Sequence, residues 1–308
     1  MPRILQGVLP IIQTPFNDND QIDTETLRRT ADWAYAVGAE GIGTGMVSEI
    51  LRLTTDERNS LTECLVESSA GRGAVFAAVG AESGHQALEY ALHAERVGCD
   101  AVMAAPPLLS RLSVGAHLDY YRRLAEGVNL PVIVQDASSY VGQAIPLDVY
   151  TGLLDRYGSE KILFKPEAAP IGPNLSALRD ATQGQARIFE GSGGILLVDS
   201  FRRGITGTMP GMDLLDGIVA LWRILSTVPE NTEAIYPLYF PICALVALQL
   251  QAGLDGFLAI EKYLLVRRGL WTSDRRRPPY SWSLDNETAS EVDRLFAQFQ
   301  LALGTSPT

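Results

Sequence analysis

Several residue types and patterns are scarce in this chain of 308 residues, and each scarcity excludes a class of protein. The three cysteines are widely spaced among apolar residues, which excludes a disulfide framework and predicts buried thiols in a reducing compartment. No apolar run reaches the ~18 residues of a spanning helix, and the start of the chain lacks the apolar region of a signal peptide. Basic residues number 25 against 36 acidic ones, so the formal net charge is −11. We therefore expect a soluble cytoplasmic protein with no nucleic-acid and no membrane partner.

Apolar runs of strand length alternate regularly with segments of helical period, and this alternation indicates the fold. Most of the runs are continuously apolar, as in parallel strands that are covered on both faces. Eight strands and seven helices predict a (β/α)8 TIM barrel over residues 1–211. A doubly wound open sheet is the alternative, but no phosphate-binding fingerprint opens the chain. The predicted strands are 8–16, 41–46, 74–80, 101–106, 131–136, 162–167, 187–191 and 204–210, and the predicted helices are 24–37, a helix that starts at Thr54, 84–97, 114–127, 146–156, 174–183 and 194–203.

Residues 212–308 are predicted to form a C-terminal helical extension packed on the barrel, with helices at 214–225, 232–250, 254–268 and 289–303. The run Arg275–Arg277 before two prolines predicts a solvated turn between the last two helices. The three histidines (His85, His93 and His117) fall on predicted helices without an acidic partner at ligand spacing. The sequence therefore predicts no metal site.

Lysine is also scarce, since only three of the 25 basic residues are lysines. Lys161 precedes the sixth predicted strand, and Lys262 falls in a predicted helix where we expect both it and Glu261 to reach solvent. Lys165 differs, because it follows Ile162, Leu163 and Phe164 near the carboxyl end of a strand that otherwise reads as core. Reactive groups of barrel enzymes lie at this end of the strands.

An amine among apolar walls loses part of its preference for the charged form, and a neutral amine can attack a carbonyl group to form a Schiff base. Arginine cannot do this, because its guanidinium stays protonated. The alternative is that Lys165 only forms an ion pair with Glu167, which lies two residues further on the same strand face. Glu167 could carry the protons of imine formation or oppose it as a counter-ion, and the sequence leaves both roles open.

Four segments resemble one known family. These are Gly45–Glu49 after the second strand, Pro106–Pro107 after the fourth, Gln135–Ser138 after the fifth and Lys165–Glu167 in the sixth. Together they resemble the dihydrodipicolinate synthase / N-acetylneuraminate lyase family over nearly the whole chain. The resemblance implies a class I aldolase-type barrel, usually a homotetramer, in which Lys165 forms the imine with a 2-oxo acid. No organic cofactor is implied, because the imine itself is the electron sink.

The same resemblance assigns the loop after the second strand to the substrate carboxylate. The family usually has Gly-Thr-Thr-Gly-Glu in this loop, and the last four of those positions are Met46, Val47, Ser48 and Glu49 here. Met46 and Val47 offer no side-chain donor, so the backbone N–H groups and the Ser48 hydroxyl are left to bind a carboxylate.

Gln135 and Tyr140 depart from the family pattern. Gln135 replaces a tyrosine that relays protons, and Tyr140 replaces the arginine that the synthase uses for its second substrate. An amide orients water but does not exchange protons near neutral pH. Both changes argue against a dihydrodipicolinate synthase, while the strand-5 and strand-6 motifs are similar to the subgroup that contains 2-keto-3-deoxy-L-arabonate dehydratase.

The resulting hypothesis is a lyase that dehydrates a 2-keto-3-deoxy sugar acid, with Lys165, Gln135 and Glu167 as catalytic residues. Ser192 and Thr206, in the glycine-containing segments of the last two strands, are predicted to bind substrate hydroxyls. Aldol cleavage of a 2-oxo acid to pyruvate and an aldehyde is the first alternative. Dihydrodipicolinate synthesis and a catalytically silent sugar-acid-binding protein are the others.

Overall fold

The computed structural model describes residues 3–304, in which eight parallel strands form a closed ring. Strands β2 to β6 pair in chain order, and β8 lies between β1 and β7. Single parallel bridges between Ile11 and Gly43 and between Phe164 and Ile188 join these two sets. The predicted barrel is therefore confirmed. Its strands are β1 (Gly7–Val8), β2 (Gly41–Gly43), β3 (Ala74–Ala78), β4 (Ala101–Ala104), β5 (Val132–Asp136), β6 (Ile162–Pro166), β7 (Phe189–Glu190) and β8 (Gly207–Thr208).

Eleven helices lie within residues 3–304, eight of which follow the eight strands. The helix that starts after Thr54 has the capping box that the sequence predicts, because Thr54 Oγ1 accepts from Glu57 N and Glu57 Oε2 accepts from Thr54 N. The helices are α1 (Thr24–Val37), α2 (Thr55–Ser69), α3 (Gly84–Val97), α4 (Val114–Gly127), α5 (Leu147–Tyr157), α6 (Ile171–Ala181), α7 (Leu197–Arg202), α8 (Leu215–Thr227), α9 (Thr232–Leu250), α10 (Gly253–Arg267) and α11 (Asn286–Ala302).

The first and the last two strands are shorter than predicted. Regular pairing is confined to Gly7–Val8, so the predicted strand 8–16 keeps only its first residue, because Pro10 has no N–H group for a ladder. Leu9 N still donates to Thr208 O at 2.9 Å, and Ile12 N donates to Gly43 O at 2.9 Å, so the chain crosses from one neighbour to the other.

Alternation along the strands separates two cores. Phe76, Met103, Ile133 and Leu163 fill the barrel lumen together with residues of the other strands, whereas the intervening residues pack against the helices. Because side chains alternate, Lys165 shares the lumen face with Leu163, two residues before it. This places the lysine above the apolar layers, at the carboxyl end of the ring.

The C-terminal helices cover this end of the barrel. Helix α10 contacts the short 3₁₀ turn Met46–Ser48 after β2, and Arg52 Nη2 pairs with Asp255 Oδ1 at 2.7 Å. Helix α8 contacts α1 and β1 as well as α9, so it belongs to the outer ring of the barrel by its packing. The division at residue 211 places this helix in the extension and stays a prediction.

The arginine run is not a solvated turn throughout, which corrects the expectation for this segment. Arg277 Nη1 pairs with Glu57 Oε2 at 2.7 Å, and the side chain of Arg277 is only 14% exposed. Its backbone N–H donates to Glu49 Oε2 at 3.0 Å. Arg275 does reach solvent, and it pairs with exposed Asp18. The segment therefore joins the extension to the loop after β2.

Helix α9 requires a second correction, because its 19 residues are long and apolar enough to cross a bilayer by length and composition. About a third of the segment is buried in the protein, and the helix contacts α8, α10 and α11. Core helices pass the same test, so one such helix is weak evidence for a membrane span. The cysteines are free; Cys64 and Cys99 are buried and Cys243 is half-buried.

Candidate active site

Lys165 is a buried lysine on the last lumen-facing position of β6. It pairs with Gln135 of β5 in the strand register, and only 4% of its surface is exposed. Its Nζ lies 3.2 Å from Glu167 Oε2. A primary amine is thus held in the barrel mouth beside the Glu167 carboxylate, as both readings of the sequence required.

Glu167 connects the lysine to Gln135. The same oxygen, Glu167 Oε2, accepts a hydrogen bond from Gln135 Nε2 at 2.8 Å. Burial raises the pKa of Glu167 above the usual range, and the Lys165 charge and the Gln135 hydrogen bond lower it only in part. Glu167 is therefore suited to accept and return a proton beside the amine.

Gly191, directly after β7, gives the pair room. A Cβ atom at this position would lie 2.5 Å from Lys165 Cε and 2.5 Å from Glu167 Oε1. Any larger residue would have to displace one of these groups, so the close approach requires glycine here.

A cavity of about 30 Å³ lies over the lysine and combines barrel and extension residues. Tyr140, after β5, lines it and packs edge-on against Phe257 of α10, with ring centres 5.6 Å apart. Burial raises the pKa of Tyr140 well above its usual value, so its hydroxyl stays protonated and can donate a hydrogen bond. The lining residues are Ile11, Met46, Val47, Gln135, Tyr140, Lys165, Glu167, Gly191, Gly193, Met209, Gly211, Leu254, Phe257 and Glu261.

The four predicted carboxylate-binding residues after β2 separate into two pairs. Met46 and Val47 line the cavity. Ser48 is fully buried, and its hydroxyl donates to the Ile12 carbonyl and accepts from Gly45 N. Glu49 turns toward the extension and contacts Lys262 Nζ. The structure thus directs the Ser48 and Glu49 side chains to structural contacts instead of the cavity.

Ser192 and Thr206 do not line the cavity either. Ser192 Oγ accepts from Leu196 N at 3.0 Å and so caps the turn before α7. Thr206 precedes β8, and its backbone pairs with Gly7 and Ile188. It therefore lies at the amino end of β8, opposite the mouth. Thr208, within β8, donates to Glu190 Oε2 at 2.7 Å, and neither residue lines the cavity.

Glu261 and Lys262 are buried, which corrects the expectation that both reach solvent. Glu261 is 2% exposed and lines the cavity, whereas Lys262 is completely buried. The sequence offers one signal for this: Leu258, Glu261 and Leu265 share one face of α10 at helical spacing.

A second cavity of about 210 Å³ adjoins the first, and Met46 and Gln135 line both. Arg58 and Tyr90 lie on its far wall, with the guanidinium 3.9 Å from the ring centre. No group of three or more His, Cys, Asp or Glu within residues 3–304 is arranged to hold a metal ion.

Comparisons with known proteins agree with this fold. L-2-keto-3-deoxyarabonate dehydratase of Azospirillum brasilense is 27% identical over 298 residues, which cover 93% of this chain and 92% of that protein. N-acetylneuraminate lyase of Citrobacter koseri is 31% identical over about half of each chain. The crystal structure of dihydrodipicolinate synthase from Rhodopseudomonas palustris superposes with a TM-score of 0.84 at 26% identity, covering 96% of this chain and 97% of that one. The model of the dihydrodipicolinate synthetase family matches residues 4–163, and the chain belongs to this family.

Proposed function

We propose that the protein is a Schiff-base lyase that dehydrates a 2-keto-3-deoxy sugar acid. The observation that carries the proposal is the buried Lys165 amine at the carboxyl end of β6, 3.2 Å from the Glu167 carboxylate and open to a cavity. A buried amine with a proton acceptor at this distance is what imine formation requires.

Lys165 Nζ attacks C2 of the 2-oxo acid in its neutral form. Glu167 carries the two protons of the amine, one after the other, to the carbonyl oxygen, which leaves as water when the imine forms. Gln135 fixes the Glu167 carboxylate through the 2.8 Å hydrogen bond. The imine then acidifies the C3 protons, and no metal or organic cofactor is needed as electron sink.

The 3₁₀ turn at Met46–Ser48 would hold the substrate carboxylate. The first N–H groups of such a turn have no acceptor inside the turn, and Met46 and Val47 border the cavity. Backbone donors suffice for a carboxylate, so the loss of both threonine hydroxyls of the family motif does not remove the binding site.

Dehydration is preferred over the other reactions of the family for two reasons. The dehydratase relative aligns over 93% of this chain, whereas the N-acetylneuraminate lyase relative aligns over about half of it. Gln135 and Tyr140 also occupy the positions of the tyrosine and arginine expected for a dihydrodipicolinate synthase. Cleavage between C3 and C4 uses the same imine and remains the second candidate.

Borohydride reduction in the presence of pyruvate, followed by intact mass and peptide mapping, tests the imine. We expect a reduced adduct on Lys165 in the wild type and none in Lys165→Arg, whose guanidinium cannot form an imine. Lys161→Arg is the control, because Lys161 Nζ donates to the Leu130 carbonyl at 2.7 Å, away from the cavity, and should leave the adduct unchanged.

Incubation with 2-keto-3-deoxy-L-arabonate separates the two reactions. Dehydration yields 2-oxoglutarate semialdehyde, whereas cleavage yields pyruvate and glycolaldehyde. A wild-type protein that forms no adduct would refute the lyase and leave a silent sugar-acid-binding protein. The cytoplasmic location and the homotetramer implied by the resemblance stay predictions of this proposal.

A further inference from the structure

Glu261 brings a second carboxyl group into the cavity that holds the Lys165 amine. It lies on α10, outside the strands of the barrel, and is 2% exposed. Its Oε2 accepts a hydrogen bond from Gln13 Nε2 at 2.7 Å. The proposed function places Glu167 beside the amine and gives Glu261 no role, so this carboxyl is available for a later step.

Asp213, just before α8, is a second buried carboxyl beside Glu261. The two meet around Gly211, where a Cβ atom would lie 2.4 Å from Glu261 Oε1 and 2.9 Å from Asp213 Oδ1. Asp213 Oδ2 accepts from Gln249 Nε2 at 2.7 Å. Two buried carboxyl groups this close do not both ionise easily, so the pair retains a proton.

The charged groups that face Glu261 come from several parts of the chain. Burial, and then the Asp213 charge, raise the pKa of Glu261 well above the usual range. Lys262 on the same helix and Lys165 on β6 lower it in part. Tyr140 also faces the group but keeps its proton. The net effect favours the protonated form of Glu261, which places a proton donor at the cavity wall.

Gln13 adds an independent observation. Its side chain is completely buried, and its Oε1 has no hydrogen-bond partner among the described residues. Gln13 lies near the cavity, because Ile11, two positions before it, and Gly211 both line the cavity. A Cβ atom at Gly211 would lie 2.9 Å from Gln13 Nε2. A buried amide oxygen without a partner is costly, and a substrate hydroxyl that donates to Gln13 Oε1 beside Glu261 would satisfy it.

We propose that Glu261 donates the proton to the departing C4 hydroxyl of the lysine-bound substrate, with Asp213 as the positioning residue that keeps it in its acid form; this inference rests on the proposed function. A base first removes a C3 proton, and the electron pair moves to the imine nitrogen to give an enamine. The enamine then restores the C=N bond while its C2=C3 electrons form a C3=C4 bond. The C4–O bond breaks, and the oxygen takes the Glu261 proton and leaves as water. Glu261 then takes up one proton, which balances the proton that the base removed from C3.

The same group accounts for the choice between dehydration and cleavage. Breaking the C3–C4 bond requires a base that removes the proton of the C4 hydroxyl, whereas dehydration requires an acid that adds one. A neutral Glu261 at this position supplies the acid. We therefore infer that Glu261 directs the common imine toward loss of water.

Glu261→Gln tests the inference, because it keeps the size of the side chain and removes the transferable proton. Three measurements apply: the pyruvate adduct, exchange of the pyruvate methyl protons in heavy water, and dehydration of 2-keto-3-deoxy-L-arabonate. We expect the adduct and the exchange to stay within about threefold of wild type, since neither involves C4. Dehydration should fall by about 10²- to 10⁴-fold, the usual contribution of a general acid. Glu233→Gln, at an exposed position of α9, should change none of the three.

The outcomes separate this inference from the proposed function. A Glu261→Gln enzyme that dehydrates like the wild type would overturn the role of Glu261 alone. A variant that loses the adduct and the exchange as strongly as dehydration would also overturn it, because Glu261 would then act on the imine or on folding. A wild-type protein without an adduct would refute the proposed function and this inference together.

Asp213→Asn provides a pH-dependent readout for the positioning residue. Dehydration needs Glu261 in its acid form, so kcat of the wild type should decrease as the pH rises past the pKa of Glu261. Removing the neighbouring negative charge lowers that pKa, and the decrease should begin at a lower pH in Asp213→Asn. A variant that is slower by the same factor at every pH would show that Asp213 is merely structural.

Discussion

Two lysines are buried in this chain, and their contacts give them different roles. Lys262 Nζ donates to Glu49 Oε1 and to two backbone carbonyls at 2.8 and 2.9 Å, which uses all three of its protons. Burial lowers the pKa of Lys262 to about 8, against the opposing effect of Glu49. Lys165 has one carboxylate neighbour and otherwise borders a cavity. Only the second arrangement leaves an amine free to meet a substrate.

Lys262→Met should destabilise the fold, although Lys262 takes no part in the reaction at Lys165. It leaves the Glu49 carboxylate buried without its closest cation, and breaking a buried pair in this way costs about 3–5 kcal/mol. Adding Glu49→Gln removes the uncompensated charge, so the double variant should recover part of the loss. Urea denaturation followed by tryptophan fluorescence, to which Trp271 contributes from 5.7 Å away from Lys262 Nζ, measures the stability of both variants. A double variant no more stable than the single one would contradict this account.

The site residues that the sequence brought forward are those set by local periodicity. Lys165 and Glu167 are two residues apart and therefore share one face of the chain, and the strand register places Gln135 beside Lys165. Glu261 was missed because it shares the cavity with Lys165 from a segment about a hundred residues away, and no local pattern encodes which face of α10 meets the barrel. Its place between Leu258 and Leu265 on one helical face marks it as buried, but the partner has to come from the structure.

At the scale of elements, the helices follow the sequence more closely than the strands do. The bounds of α1, α3, α4 and α9 agree with prediction, because caps such as Asp23 and Ser83 act within three residues. Helix α7 begins later than predicted, since Gly193 and Gly194 adopt φ values of +71° and +101° that an α-helix cannot include. Strand ends depend on neighbours that are distant in sequence, so β1, β7 and β8 were predicted too long.

The arginine segment after α10 allows a prediction with a matched control in the same loop. Arg277→Ala removes the 2.7 Å pair with Glu57, so the free energy of unfolding should fall by about 1.5–3 kcal/mol. Arg275→Ala should change it by no more than about 0.5 kcal/mol, because Arg275 and Asp18 are both exposed. Urea denaturation of the two variants gives the comparison. Equal losses would mean that the segment is a solvated turn after all.

At the scale of the whole molecule, the barrel could be predicted from the sequence, but the way in which the C-terminal extension closes its mouth could not. Eight apolar runs in parallel arrangement have few ways to bury both faces, and the lack of an opening phosphate-binding fingerprint favours the closed ring over a doubly wound open sheet. The sequence predicts that the extension packs on the barrel, but not that it completes the site. In the structure α10 supplies Leu254, Phe257 and Glu261 to the cavity over Lys165. The catalytic mouth is thus assembled from both parts of the chain.

Buried polar contacts also cross between the two parts. Glu49 forms an ion pair with Lys262, Gln13 donates a hydrogen bond to Glu261, and Arg52 pairs with Asp255 at 2.7 Å. The barrel residues of these pairs would lose their partners without the extension, and unpaired buried charges are strongly destabilising. We therefore expect that neither the barrel nor the C-terminal extension functions without the other.

A chain split between Pro229 and Glu230 tests this dependence, because residues 226–231 are exposed and a break there removes no buried contact. We expect the 1–229 fragment, which carries Lys165, to form no pyruvate adduct on borohydride reduction when it is alone. Co-expression with the 230–308 fragment should restore the adduct, since Lys262 then pairs with Glu49 and α10 again closes the cavity. The intact chain is the control for the extent of labelling. A 1–229 fragment that unfolds cooperatively and traps pyruvate by itself would show that the barrel needs neither the ion pair nor the cover, and α10 would then bear on later steps only.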